Sequence, residues 1–293
     1  MTTTSPCIGF CRLDAASSHC LGCARTSAEI AAWRDAPAAF LERVWADLPA
    51  RRARMGVGLH RLKWTRGDLM AFIAGTLEPG RPAGGTWAIG HFGGASEFRV
   101  GPDETSELER DGSARLVART RRAAVRFDVP EQVRVMAPVA SGDDPSPGPL
   151  VLAVPRNRQT PRAGLAYLGL DRDAVEPRDR DARLYDLGLG ARAAAFCLRT
   201  DDPELIRGLD DCLGLEWPDL FAGIGRRIVE ARPARVVLGP IGRVEALGPI
   251  EGGDDEGPLA PIRLAGCGDV PNGLETPETL TPCAFFFPDR GTE

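Results

Sequence analysis

Four of the chain's eight cysteines fall within the first 23 residues, as Cys7, Cys11, Cys20 and Cys23. Their spacing, C-x3-C-x8-C-x2-C, constrains this end of the chain more than any other feature. Two close pairs joined by a short loop are what a four-coordinate metal needs. Each pair spans one edge of a tetrahedron, and the loop turns the chain back so that the pairs face each other. Gly9 and Gly22 lie inside the pairs, where glycine lets backbone amides approach a sulfur and donate to it. His19 directly precedes Cys20, and adjacent residues seldom ligate one ion, so it reads as exposed rather than as a ligand. An Fe–S cluster and Zn2+ both suit four thiolates, and the ligand set does not separate them.

The first residues, T-T-T-S-P, carry neither the basic run nor the apolar stretch of a secretory signal. No apolar run approaches the ~18–20 residues of a spanning helix. The expectation is a cytoplasmic protein, where cysteines serve as metal ligands and buried thiols rather than disulfides. With 36 basic and 41 acidic residues the formal charge is −5, which argues against nucleic acid and membrane surfaces as partners. A protein partner stays open. Lys63 is the single lysine and no phosphate-loop sequence surrounds it; the histidines are only His19, His60 and His91. Lysine- and histidine-centred catalysis therefore have few candidates.

After Cys23, Thr26 and Glu29 form a capping box that predicts a helix start. A second helix is expected from near Pro37, with Phe40, Leu41, Val44, Trp45 and Leu48 as its apolar stripe. Together with Ile30 and Trp33 that stripe can cover a metal knuckle that has no core of its own. Arg51, Arg52 and Arg54 read as a solvated basic helix end. The run S-P-C-I-G-F-C-R-L-D, then H-C-L-G-C-A-R-T, then E-I-A-A-W resembles a short bacterial family of unknown function described as a predicted Fe–S protein, over roughly residues 5–52. The resemblance implies that Cys7, Cys11, Cys20 and Cys23 are the ligands.

Residues 53–64 read as a connector. Thr65 then caps a helix over 66–77. Strands are expected at 86–92, 96–100, 115–120, 124–129, 132–139, 150–154, 193–200, 234–240, 242–247 and 284–287, with helices at about 202–213 and 217–230. Polar Pro/Gly loops separate them at 79–85, 141–149 and 252–261. Strands come in runs and helices cluster, so the fold class is α+β: a small four-Cys metal knuckle with helices over 1–54, then a larger domain over 55–293 with mainly antiparallel sheet. G-T-W-A-I-G-H-F-G-G-A-S-E-F, L-G-L-D-R-D-A-V-E-P-R-D-R-D, F-C-L-R-T-D-D-P-E-L-I, I-G-R-V-E and T-P-C-A-F-F-F-P resemble, in that order, a second bacterial family of unknown function. Its members often carry a P-H-T-H segment where this chain has G-P-L-A-P.

Three further motifs are tempting. Gly188-Leu-Gly190 begins a G-x-G-x-x-A stretch, but a strand is expected after it where a dinucleotide site needs a helix. His91 sits among Gly90, Gly93 and Gly94, which read as a tight strand connection. Asp171, Asp173, Glu176, Asp179 and Asp181 could ligate a hard cation, yet Arg172, Arg178 and Arg180 would neutralise them, so a solvated, salt-bridged loop is expected. Cys197, Cys212, Cys267 and Cys283 form no close pair and read as small buried hydrophobes. The resulting expectation is a metal-binding protein whose α+β domain is a binding or interaction scaffold. The competing reading is an enzyme with its active site in that domain and a structural Zn knuckle; no catalytic motif is found, and the non-enzymatic reading is favoured.

Overall fold

A computed structural model describes residues 4–8, 11–15, 17–78, 84–91, 94–98, 100, 106–121, 123–139, 148–156, 162–190, 194–246, 274 and 276–289. The helices and strands run α1 (Ser27–Ala32), α2 (Ala38–Met55), β1 (Leu59–Arg61), α3 (Arg66–Leu77), β2 (Gly85–His91), β3 (Gly94–Phe98), β4 (Glu107–Asp111), β5 (Arg115–Arg119), β6 (Ala123–Asp128) and β7 (Arg134–Pro138). They continue as β8 (Leu150–Pro155), β9 (Ala166–Leu170), β10 (Arg183–Asp186), β11 (Ala195–Thr200), α4 (Pro203–Asp211), α5 (Trp217–Ala231), β12 (Ala234–Gly239), β13 (Gly242–Ala246) and β14 (Leu280–Pro288). The class is α+β, as the pattern of runs predicts. No helix among the described residues is long and apolar enough to cross a membrane.

The helix starts follow local chemistry. Thr26 and Glu29 form the capping box of α1, and Thr65 and Asp68 form that of α3. Asp202 caps α4 through its side chain, with Pro203 at the first helical position. Two antiparallel sheets result, in the orders β1-β7-β8-β14-β2-β3 and β4-β5-β6-β13-β12-β11-β10-β9.

The main core lies between the two sheets and under α3. Trp87 is its centre: the indole Nε1 donates to Thr76 Oγ1 at 2.8 Å, and the ring meets Phe127 edge-on at 5.0 Å. Alternation assigns the two faces of the six-stranded sheet. Leu150 and Leu152 of β8, Val135 of β7 and Phe286 of β14 point into this core. Val151, Met136 and Phe285 point to the outer face, where a second apolar cluster forms. Burial on both faces is why β8 reads as an unbroken apolar run. The far end of the eight-stranded sheet is covered by α4 and α5 through Leu205, Leu209, Leu220 and Ile224.

Several expectations change. The 53–64 connector contains β1, an edge strand paired with β7. The last strand is longer than predicted, Leu280–Pro288. Strands β4, β9 and β10 have no counterpart in the sequence reading. Arg52 is not a solvated helix end: it is 1% exposed, with its guanidinium 5.8 Å from the Trp45 ring. The 252–261 loop, including G-P-L-A-P, lies outside the described residues.

Candidate metal centre

A small hairpin brings Cys11 and Cys20 together, with Cys23 three residues further on. Leu21 N–H donates to Arg12 O at 2.8 Å and Asp14 N–H to His19 O at 2.8 Å, so Leu13 and Cys20 pair as an antiparallel bridge. The turn is closed by Asp14, whose Oδ2 accepts from the Ser17 N–H and hydroxyl at 2.8 and 2.6 Å. This pairing sets Cys11 against Cys20, and their side chains hydrogen-bond. Ala24 N–H then donates to Cys20 O at 2.7 Å, with Ala24 at φ 60°, which folds Cys20-Leu-Gly-Cys23 into a tight knuckle.

Inside the knuckle Cys20 Sγ accepts from the backbone N–H groups of Gly22, Cys23 and Arg12. The Gly22 amide does what glycine at that position predicts; Gly9 lies outside the described residues. Burial works to raise the Cys20 thiol, yet these N–H groups and the Cys23 side chain hold it below the ordinary thiol value. Cys23 is raised by burial, although Arg25 Nε donates to its sulfur at 3.4 Å. Partial desolvation and the neighbouring Cys20 raise Cys11. Cys20 and Cys23 are buried, Cys7 is half-buried and Cys11 is exposed.

The donor set is four soft thiols, and amide donors already surround one sulfur, so the residues fit a thiophilic metal. As they stand, the Cys11 side chain hydrogen-bonds to Cys20, and the Cys20 side chain to Cys23. Among the described residues no group of three or more His, Cys, Asp or Glu is arranged to hold an ion. His19 is half-exposed and its Nδ1 lies 2.7 Å from Ser17 O.

Helix α2 supplies the module's own small core, through Val44, Trp45 and Leu48 packed on Ala24. Arg25 is buried and stacks on Trp33 at 4.4 Å, which aims its Nε at Cys23. The segment before the hairpin lies on the outer face of the six-stranded sheet. There Ile8 is 4% exposed among Leu59, Met136, Val151 and Phe285. Trp45 Nε1 donates to Thr4 O at 3.1 Å, and Arg61 Nη1 donates to Cys7 O at 3.4 Å. Ile8, Arg25 and Arg61 carry no motif signal; only the close sequence neighbourhood of Ile8 and Arg25 to the cysteines could have drawn attention to them.

The acidic loop is salt-bridged, but its key member is not solvated. Asp171 is 3% exposed and accepts from Arg243 Nη1 and Nη2 at 3.0 and 2.6 Å and from Arg199 Nη1 at 3.3 Å. Glu245, fully buried, accepts from Arg199 at 2.5 Å and from the Val175 N–H at 2.9 Å. These carboxylates face guanidinium groups, so the cluster is a structural ion network rather than a cation site. Gly188-Leu-Gly190 is a turn that leads to β11: a Cβ on Gly188 would come within 2.4 Å of Gly164 N. The His91 side chain and Cys267 lie outside the described residues. Cys197 and Cys283 are buried thiols, and burial pushes the Cys283 thiol up to about 12.

Residues 77–292 match the family described as "Family of unknown function (DUF6925)", and residues 5–52 match "Protein of unknown function (DUF1289)". No curated protein and no solved structure matches the chain.

Proposed function

The chain belongs to the family of unknown function DUF6925, and on that footing we propose that its N-terminal module adds a metal centre held by Cys7, Cys11, Cys20 and Cys23. The α+β domain is then a binding scaffold rather than a catalyst. The observation that carries this reading is the Cys20 knuckle, in which three backbone N–H groups converge on one sulfur. Such donors stabilise a thiolate that has given up its proton to a metal. Arg25 does the same for Cys23 from its seat on Trp33. Cys11 lies on the exposed side, where it can reorient to complete a four-sulfur set with Cys7.

The centre we favour is an Fe–S cluster, which would supply a one-electron redox step. Zn2+ is the second reading, favoured by Ile8: a module seated in another core behaves as a structural cross-link. Metal analysis and a visible spectrum of protein purified without oxygen decide between them. Iron with visible charge-transfer absorption, lost in Cys7→Ser and Cys20→Ser, supports the cluster. About one Zn2+ per chain in a colourless protein supports the structural ion. Metal content unchanged by both substitutions would sink the four-cysteine assignment.

A further inference from the structure

Two features of the sheet beneath the module meet at Cys7. The first is Ile8, the residue directly after Cys7 and inside the first cysteine pair, which is buried in the outer apolar cluster of the six-stranded sheet. The second is a pair of like charges. Strand alternation puts Arg61 of β1 on the same face as Leu59, and Arg134 of β7 on the same face as Met136, so both guanidinium groups belong to the outer face. Arg61 lies beside the module, its Nη1 donating to Cys7 O at 3.4 Å. Arg134 Nη1 is buried with no hydrogen-bond partner, and among the described residues neither arginine has a carboxylate partner. Two adjacent guanidinium groups without a counter-charge call for an anion. Four thiolates around Zn2+ or an Fe–S core carry a net negative charge, and their first ligand stands beside Arg61.

We propose that the N-terminal module is a metal-dependent cover on the outer face of the six-stranded sheet, with Ile8 as its apolar plug and Arg61 and Arg134 as counter-charges to the metal–thiolate centre. The proposal rests on the metal reading above. Loading the centre adds the negative charge that the arginine pair faces and fixes Cys7, the residue next to Ile8. Removing it takes away both, and the apolar sheet face is uncovered. Arg61 and Arg134 are positioning residues here, because they act on the module's seat and not on the metal.

The test uses the full chain, metal-loaded and chelator-stripped, with metal per chain measured in each sample. Amide exchange over residues 4–8 and binding of an apolar dye report the seat. On stripping, exchange is expected to rise about tenfold or more, the range for a buried aliphatic side chain leaving a shared core, and dye binding to rise with it. Ile8→Asp should show the fast exchange and dye binding while still loaded. Arg61→Gln with Arg134→Gln should keep its metal, exchange faster than the parent when loaded, and change less on stripping. A chain that takes up metal yet shows equal exchange and dye binding in both states overturns the coupling alone. A chain that takes up no metal on anaerobic reconstitution overturns the metal reading and the coupling with it.

Discussion

Single residues in this protein matter most where charge is buried. Glu245 holds Arg199, Arg243 and the Val175 amide together at the centre of the eight-stranded sheet's ion network. Glu245→Ala leaves two buried guanidinium groups short of a partner, and we expect a loss of about 3–5 kcal/mol in urea denaturation. Asp186 behaves oppositely. Burial raises its carboxyl, against the Gly188 N–H at 3.0 Å and the field of Arg162. An acid raised in the folded state costs stability as pH climbs from its unfolded value through its folded one. Asp186→Asn should therefore stabilise the protein at pH 8 and have little effect near pH 3; a loss at pH 8 would refute this. Glu29 is the reverse case. Burial opposes its ionisation, but Arg51 at 2.8 Å and the Thr26 amide hold it below the ordinary carboxylate range. Its contribution is present above the unfolded value and lost as pH falls through the folded one. Glu29→Gln should cost about 1 kcal/mol at pH 7, with the difference vanishing in acid.

Elements were readable where they announce themselves by capping or alternation. The capping box predicts the start of α1, and Thr65 predicts α3 to the residue, because such signals are local and owe nothing to the rest of the fold. Strands β4 and β1 escape for opposite reasons. β4 is E-L-E-R-D, an edge strand whose charges are held by ion pairs such as Glu109–Arg119. β1 is three residues long and exists only because β7 offers an edge. The turn at Gly188 tests geometry at this scale. Its φ is 69° and a Cβ would strike the Gly164 backbone, so Gly188→Ala should lower the melting temperature clearly. Gly112 has a similar φ of 65° but open space, so Gly112→Ala should cost only about 1 kcal/mol.

Among the described residues the largest apolar core lies between the two sheets, and the N-terminal segment is seated on the outer face of the six-stranded one. Trp87 joins β2 to α3 and to Phe127 of the other sheet, so Trp87→Ala should cost about 3–5 kcal/mol and move the unfolding of both sheets together. Separate transitions for the two sheets in a denaturation curve would contradict a common core. At this scale the cysteine spacing and the order of strand runs were enough to mark the candidate ligands and the α+β class, since both depend on neighbours a few residues apart. The partner of Ile8 was not legible, because an isoleucine between two cysteines looks alike whether it is exposed or docked on Val151 and Phe285. The burial of Arg52 and Asp171 was equally hidden: a charged residue reads as solvated until a neighbouring ring, as at Arg52, or a guanidinium from a distant strand, as at Asp171, is laid against it. Local chemistry therefore settles which residues can ligate, cap or alternate. Long-range packing settles which charges lose their water and which face of a sheet the N-terminal segment covers, because desolvation depends on what the rest of the chain brings into contact.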